Sequence, residues 1–207
     1  MVALKLLSVA LSAVYLFTIP LHPFTGSAAI KGLSIATLAV LALTRAGRLL
    51  ALALAASAAG DVLLDVDPIR LFVAGLCAFL AAHVIYAILF GSRRPRPLRV
   101  SGLRLILLLI VLVYAVAMST WLAPSLGSLM VPVVIYISVI TLMTTAAIIA
   151  RLPILVPMGA ALFMASDSML AIAKFKGTFA MRDYLVWATY YAAQYFIASG
   201  ILRKQNI

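Results

Sequence analysis

The chain has 207 residues, of which 66% are hydrophobic and 10% charged, and its net charge is +11. Soluble domains are about half apolar and about a quarter charged, so this composition excludes a soluble globule and predicts an integral membrane protein over the whole length. The positive charge does not indicate nucleic acid as a partner. Most Lys and Arg residues lie in short segments between apolar runs, where the headgroups of membrane lipids would meet them.

Apolar runs taken in chain order predict an all-α bundle of eight transmembrane helices. A helix needs roughly 20 residues to cross the ~30 Å hydrocarbon core. Proline, glycine and charged residues divide the sequence into eight such segments, at 3–20, 28–44, 48–64, 69–90, 103–122, 128–149, 154–173 and 182–201. All linkers except 91–102 are only a few residues long, so we expect consecutive helices to pack antiparallel in a single domain over residues 1–207.

The distribution of charge predicts the orientation of these helices. One side of the bundle would hold most basic residues: Lys5, Arg45, Arg48, the arginines of 93–104, Arg151, Arg203 and Lys204. The other side would hold Lys31, Arg70, Lys174, Lys176 and Arg182 together with Asp65, Asp67 and Asp183. Because short basic loops favour the cytosolic side, both termini are predicted to be cytosolic, in a multi-pass protein of the bacterial inner (cell) membrane.

Two aspartates lie inside the predicted helices, Asp61 in the third and Asp167 in the seventh. The sequence has only five acidic residues, and all of them are Asp. An unpaired carboxylate in hydrocarbon costs several kcal/mol, so an intramembrane acid indicates a functional site. A structural ion pair, such as one between Asp61 and Lys31, is the alternative interpretation.

A possible internal repeat relates the two aspartates. The sequence Gly-Asp at 60–61 aligns with Ser-Asp at 166–167, and Ala-Ala-His at 81–83 aligns with Ala-Ala-Gln at 192–194. These matches predict two parallel halves of four helices each, related by an axis along the membrane normal.

Other polar side chains within the helices are candidates to line one cavity: Lys31, His83, Tyr86, Tyr136, Ser166, Thr189, Tyr190, Tyr191 and Gln194. His83 and Tyr86 share a helical face at spacing i,i+3, and Tyr190 and Gln194 share one at i,i+4. The alternatives are a core histidine bonded across helices, close-packing small residues, and interfacial tyrosines, the last of which suits Tyr15.

The metal-ligating residues are too few to predict a metal site. The chain has two His, one Cys and no Glu, and it lacks an HExxH sequence and an i,i+4 His pair. No metal and no other cofactor is therefore predicted.

The ordered set of motifs resembles the YhhN family, which includes the animal lysoplasmalogenases of the transmembrane protein 86 type. The motifs are Gly60-Asp61, His83-x-x-Tyr86, Gly159-Ala-x-Leu-Phe-x-x-Ser166-Asp167 and Thr189-Tyr190-Tyr191-x-Ala-Gln194. The resemblance implies a membrane-embedded hydrolase that cleaves the vinyl ether bond of a lysophospholipid. For such a reaction we predict that Asp61 and Asp167 are catalytic and that the substrate contacts Lys31, His83, Tyr86, Tyr136, Ser166, Tyr190, Tyr191 and Gln194.

Acid–base chemistry fits the reaction that the resemblance implies. Vinyl ether hydrolysis begins with protonation of the β-carbon, and an apolar site helps a carboxyl group to keep the proton that it must donate. A second, ionised carboxylate would stabilise the oxocarbenium ion and activate water, as in glycosidases. We expect a cavity between helices three, four, seven and eight that opens to the non-cytosolic face.

Two other functions remain open on sequence alone. A proton-coupled transporter or lipid carrier would use the same aspartates as a proton relay. A non-catalytic membrane scaffold would have no use for two buried acids. The sequence does not predict the oligomeric state.

Overall fold

The computed structural model describes residues 2–95 and 100–204, and this part of the chain folds into eight α-helices with no strand. The helices are α1 Val2–Thr18, α2 Ser27–Arg45, α3 Arg48–Val66, α4 Phe72–Gly91, α5 Gly102–Leu122, α6 Met130–Ile149, α7 Leu155–Phe175 and α8 Arg182–Lys204. The prediction of eight helices is confirmed. Arg96, Pro97 and Arg99 of the basic linker lie outside the described residues.

Seven helices in the described part of the chain are long and apolar enough to span a membrane. They are α1 to α7, whereas α8 does not belong to this group. Polar residues interrupt the middle of α8, including Tyr190 and Gln194, and Arg182 and Asp183 stand at its start. The chain is therefore a helical membrane protein whose eighth helix is more polar than the other seven.

The fourth helix begins three residues later than predicted because Asp67 organises the preceding turn. One carboxylate oxygen, Oδ1, accepts the backbone N–H groups of Ile69 at 3.0 Å and Arg70 at 2.8 Å. Asp residues commonly stabilise such turns by accepting from the backbone two or three residues ahead. The chain consequently enters helical geometry only at Phe72.

The most extensive contacts between consecutive helices join α2 to α3, α3 to α4 and α7 to α8. The two ends of the chain also meet, because α8 contacts α1 and α2. The prediction of antiparallel neighbours does not extend to α4 and α5. Instead α4 packs against α6, and α5 packs against α6 at the periphery of the bundle. The longer linker between α4 and α5 permits this displacement, and it leaves α5 as a peripheral helix.

Close contact between α7 and α8 depends on Gly159. A Cβ atom added at this position would lie 2.7 Å from the carbonyl oxygen of Ala193 and 2.8 Å from Cγ1 of Ile197. Small residues permit such close approach of transmembrane helices. The glycine therefore fixes α8 against one side of α7, so that the opposite side of α7 faces α4, α5 and α6.

The outer surface is apolar along whole helices. On α5, Leu105, Leu109 and Leu112 are all more than half exposed, and Leu6 on α1 is 63% exposed. A soluble monomer rarely exposes so continuous an apolar surface, whereas hydrocarbon accommodates it. These helix faces are therefore lipid-facing surfaces.

Candidate active site

Asp167 on α7 meets His83 on α4 and Tyr136 on α6 in one hydrogen-bonded cluster, here called the Asp167 cluster. The Tyr136 hydroxyl donates to Asp167 Oδ2 at 2.5 Å. The His83 Nε2 atom lies 3.0 Å from the same oxygen and 2.9 Å from the Tyr136 hydroxyl. Asp167 Oδ1 forms no hydrogen bond to a described residue, and the side chain is 15% exposed. One carboxyl oxygen is thus held in place and the other is available.

The environment of His83 favours one tautomer. The ring is fully buried, and Nδ1 has no hydrogen-bond partner among the described residues. A buried N–H without an acceptor is rarer in proteins than a buried lone pair without a donor. We therefore assign the proton to Nε2, where it can be shared between Asp167 and Tyr136.

Asp61 on α3 belongs to a second cluster, here called the Asp61 cluster, which is sealed from the surface. The Tyr190 hydroxyl of α8 donates to Asp61 Oδ2 at 2.6 Å, and the Tyr190 hydroxyl in turn accepts from Gln194 Nε2 at 3.4 Å. Gln194 Oε1 accepts from the Tyr86 hydroxyl of α4 at 2.6 Å. Asp61 is only 2% exposed. The cluster is a buried relay of hydrogen bonds through α3, α8 and α4.

Two phenylalanines lie between the clusters. The Phe163 ring contacts His83 with ring centroids 4.6 Å apart and Tyr190 with centroids 5.2 Å apart. The Phe79 ring lies 5.7 Å from that of Tyr190 and 6.2 Å from that of Phe163. No hydrogen bond joins the two clusters within the described chain. The two carboxyl groups therefore sit in adjacent but separate networks across an aromatic contact.

The alternative of an ion pair between Asp61 and Lys31 is wrong, because Lys31 pairs with Asp65 one turn further along α3. The Lys31 Nζ atom lies 3.7 Å from Asp65 Oδ1. Asp65 also accepts hydrogen bonds from Tyr15 at 2.7 Å and Ser27 at 2.5 Å. The described residues include no ion pair to Asp61.

Sequence reasoning missed the burial of Asp65 and Tyr15. Asp65 was expected among surface charges and Tyr15 at the membrane interface, yet the Asp65 side chain is 6% exposed and Tyr15 is also 6% exposed. The spacing of these residues in the sequence could have indicated that Asp65 faces the bundle. Asp65 follows Asp61 at i,i+4, and Lys31 follows Ser27 at i,i+4, which places each pair on one helical face.

Four of the candidate residues lie outside both clusters, and one of them, Thr189, donates its hydroxyl to the carbonyl of Leu185 on the same helix at 2.6 Å. Lys31 belongs to the Asp65 group. The Ser166 hydroxyl donates to the carbonyl of Val186 at 3.0 Å and so ties α7 to α8. The Tyr191 hydroxyl lies 2.9 Å from that of Ser8 on α1. The other seven predicted residues divide between the Asp167 cluster and the Asp61 cluster.

An apolar cavity of about 60 Å³ reaches Asp167 and Tyr136. Its other walls include Phe72 and Phe79 of α4, Met118 of α5 and Phe175 of α7, and it extends towards the ends where α3 meets α4 and α5 meets α6. The predicted cavity lay between helices three, four, seven and eight. In the structure α5 and α6 line the cavity together with α3, α4 and α7, and α8 does not. The reason is that α8 packs on the opposite side of α7. Tyr86, Tyr191 and Asp61 do not line the cavity.

Metal-ligating side chains do not gather in the described part of the chain. Nowhere in it do three or more His, Cys, Asp or Glu residues come together as a possible ligand set. Asp167 and His83 pair with each other and with a tyrosine. The chemistry that this geometry offers is proton transfer beside an apolar cavity.

These features define a helical membrane protein with a carboxyl–imidazole–phenol cluster at the wall of an apolar cavity. The chain belongs to the YhhN family, whose model matches residues 26–201, so the resemblance noted from the motifs is confirmed. It is 35% identical over 169 residues to proteins named lysoplasmalogenase from Mycobacterium bovis and Mycobacterium tuberculosis. Each alignment covers 79% of this chain and 64% of the relative, so the chain spans just under two thirds of their length. No solved structure is significantly similar to the chain.

Proposed function

We propose that this protein is a membrane-embedded hydrolase that cleaves the vinyl ether bond of lysoplasmalogens. The products are a fatty aldehyde and a glycerophospho-ethanolamine or -choline. The observation that carries the proposal is the Asp167 cluster at the wall of an apolar cavity, because the reaction requires a proton donor in contact with an aliphatic chain. The name shared by the mycobacterial relatives supports the same activity.

Asp167 is the proton donor of the proposed mechanism. Its Oδ2 atom is held by Tyr136 and His83, while Oδ1 is available to the cavity. A proton on Oδ1 passes to the β-carbon of the vinyl ether, and the α-carbon becomes part of an oxocarbenium ion. The ionised Asp167 then takes a proton from the water that attacks this carbon, the change from acid to base seen in retaining glycosidases. Collapse of the hemiacetal releases aldehyde and alcohol.

Asp61 is the second carboxylate of the proposal, and it acts without touching the substrate. It is buried behind Phe79 and Phe163 and receives one hydrogen bond, from Tyr190. A negative charge in a region of low dielectric acts over a longer distance than one in water. Asp61 would therefore stabilise the oxocarbenium ion through space and orient α8 through Tyr190.

The proposed topology places both termini in the cytosol and the cavity mouth on the opposite side. The cavity extends towards the ends of the helices that adjoin Asp67, Arg70 and Lys176. A lysolipid has its scissile bond just below its headgroup, so such a mouth would receive the headgroup and bring the vinyl ether to Asp167. The proposed location is the bacterial inner membrane.

The hydrogen bonds also support the proposed four-plus-four repeat. Asp167 in the second half is bonded by His83 of α4, in the first half. Asp61 in the first half is bonded by Tyr190 of α8, in the second half, and Gln194, which aligns with His83, reaches Asp61 only through this tyrosine. Two parallel repeats around a common axis would make such reciprocal contacts.

Release of fatty aldehyde by the purified protein in detergent tests the activity. A 1-alkenyl lysophospholipid should yield aldehyde, whereas the matched 1-acyl lysolipid should yield none. A proton-coupled transporter or lipid carrier would bind the lipid and form no product. Absence of aldehyde from a folded, lipid-binding sample would contradict the proposal.

A further inference from the structure

A second apolar groove lies between α4 and α6, at the bundle end opposite the mouth of the Asp167 cavity. It has a volume of about 370 Å³, and its walls include Val84, Ala87 and Ile88 of α4 and Val139, Leu142 and Ala146 of α6. Ile88 is 55% exposed and Leu142 is 59% exposed, so the groove is open along its outer edge. An aliphatic chain can therefore enter it sideways from the bilayer.

Gly91 keeps the inner end of the groove open. It lines the groove, and a Cβ atom added there would meet no other atom within 4 Å. From Val84 to Gly91 the groove runs along roughly 10 Å of helix, at 1.5 Å per residue. That length accommodates a substantial part of one acyl chain.

Two arginine side chains, those of Arg94 and Arg104, lie at the same end. Arg94 lines the groove and is exposed, and its side chain has no hydrogen bond to another described residue. The Arg104 Nη1 atom donates to the carbonyl oxygen of Ile149 at 3.3 Å, and Ile149 also lines the groove. The acidic residues lie elsewhere. Asp65, Asp67 and Asp183 adjoin the opposite ends of their helices, and Asp61 and Asp167 are in the clusters described above.

We propose that this groove binds one anionic phospholipid, with an acyl chain along α4 and α6 and its phosphate on Arg94 and Arg104. Guanidinium groups bind phosphate through paired, charge-assisted hydrogen bonds. A zwitterionic lipid would bring an ammonium group to an end that has no carboxylate among the described residues, so charge complementarity favours an anionic headgroup. The site is separate from the proposed active site, because the two cavities use different faces of α6.

Native mass spectrometry of the detergent-solubilised protein tests this site with two probes, dioleoyl phosphatidylglycerol and dioleoyl phosphatidylcholine. We expect a single phosphatidylglycerol adduct, favoured about fivefold or more over phosphatidylcholine. Arg94→Gln should weaken that adduct by about fivefold, the factor corresponding to ~1 kcal/mol per basic residue at an anionic surface. Gly91→Leu should abolish it by filling the groove.

Two matched controls separate the groove from general surface attraction. Arg48→Gln removes an exposed arginine from the same end of the bundle but outside the groove, and Gly102→Leu adds a side chain where a Cβ also meets no atom within 4 Å. Both should retain the adduct. Equal binding of the two lipids, retention of the adduct in Gly91→Leu, or equal loss in Arg48→Gln and Arg94→Gln would each overturn the proposal. Aldehyde release should be unchanged in Gly91→Leu, since that residue lies outside both clusters.

Discussion

At the scale of single residues, the two intramembrane aspartates have different surroundings. Asp167 is partly exposed to a cavity and is bonded by a histidine and a tyrosine. Asp61 is buried and is bonded by one tyrosine. Because only a group that reaches the substrate can transfer a proton to it, Asp167 is the better candidate for the acid and Asp61 for an electrostatic role.

Replacement of Asp167 tests the proton donor. Asp167→Asn removes the acidic proton but keeps an oxygen that can accept from Tyr136, so the protein should fold and aldehyde release should fall by about 100-fold or more. Ser168→Ala is the matched control, because Ser168 also lines the cavity but donates only to the Met164 carbonyl at 2.7 Å. Near-normal turnover in Asp167→Asn would contradict the mechanism.

Asp61→Asn should lose most turnover without losing stability. The amide oxygen can still accept from Tyr190, and the change removes the cost of burying a charge, so the melting temperature should hold or rise. In contrast, Tyr190→Phe leaves the buried carboxyl without its donor and should lower stability by about 1–3 kcal/mol. Thermal unfolding and aldehyde release, measured on both variants, separate the catalytic effect from the structural one. Wild-type turnover in Asp61→Asn would remove this residue from the mechanism.

Chelation tests whether the chemistry depends on a metal. The proposed steps use only proton transfers by Asp167 and water, so aldehyde release should survive prolonged treatment with EDTA. The comparison is between treated and untreated samples of the same preparation. Loss of activity that added zinc restores would instead make Asp167 and His83 candidate ligands.

At the scale of helices, the contact between α7 and α8 positions both clusters, since α7 carries Asp167 and α8 carries Tyr190. Gly159→Ala would push a methyl group to within 2.7 Å of the Ala193 carbonyl oxygen, and the backbone cannot yield as a side chain can. We expect a loss of about 1–3 kcal/mol in stability, typical of overpacking, together with reduced turnover. Gly102→Ala is the control and should change neither. A fully stable Gly159→Ala would show that the helices can separate without cost.

The sequence predicted the helices well because long apolar runs bounded by proline, glycine and charge leave few alternatives. It predicted their partners less well. The pairing of Lys31 with Asp65 rather than Asp61 depends on how far α2 and α3 are offset along their axes, because the two aspartates share one face of α3, and composition does not encode that offset. The position of α5 outside α6 likewise depends on a long linker that permits several arrangements.

At the scale of the whole molecule, each half of the chain supplies hydrogen bonds to the aspartate of the other half. Seven of the residues predicted for the site gather in the two clusters. The motifs could not predict that the seven form two separate networks. That separation arises from Phe79 and Phe163, which sequence reasoning did not select because aromatic residues are common in apolar helices.

Orientation in the membrane decides which leaflet can supply substrate, and cysteine labelling measures it. Cys77 is the only cysteine, so Cys77→Ala gives a background without thiols. Into this background Arg70→Cys and Arg94→Cys are introduced separately, at opposite ends of α4. Since the basic end is predicted to be cytosolic, a membrane-impermeant maleimide added to intact cells should label Cys at position 70 and not at position 94. Lysed cells, in which both positions should react, are the control. Labelling of position 94 alone in intact cells would show that the orientation is the reverse of the proposed one, with the mouth of the Asp167 cavity in the cytosolic leaflet.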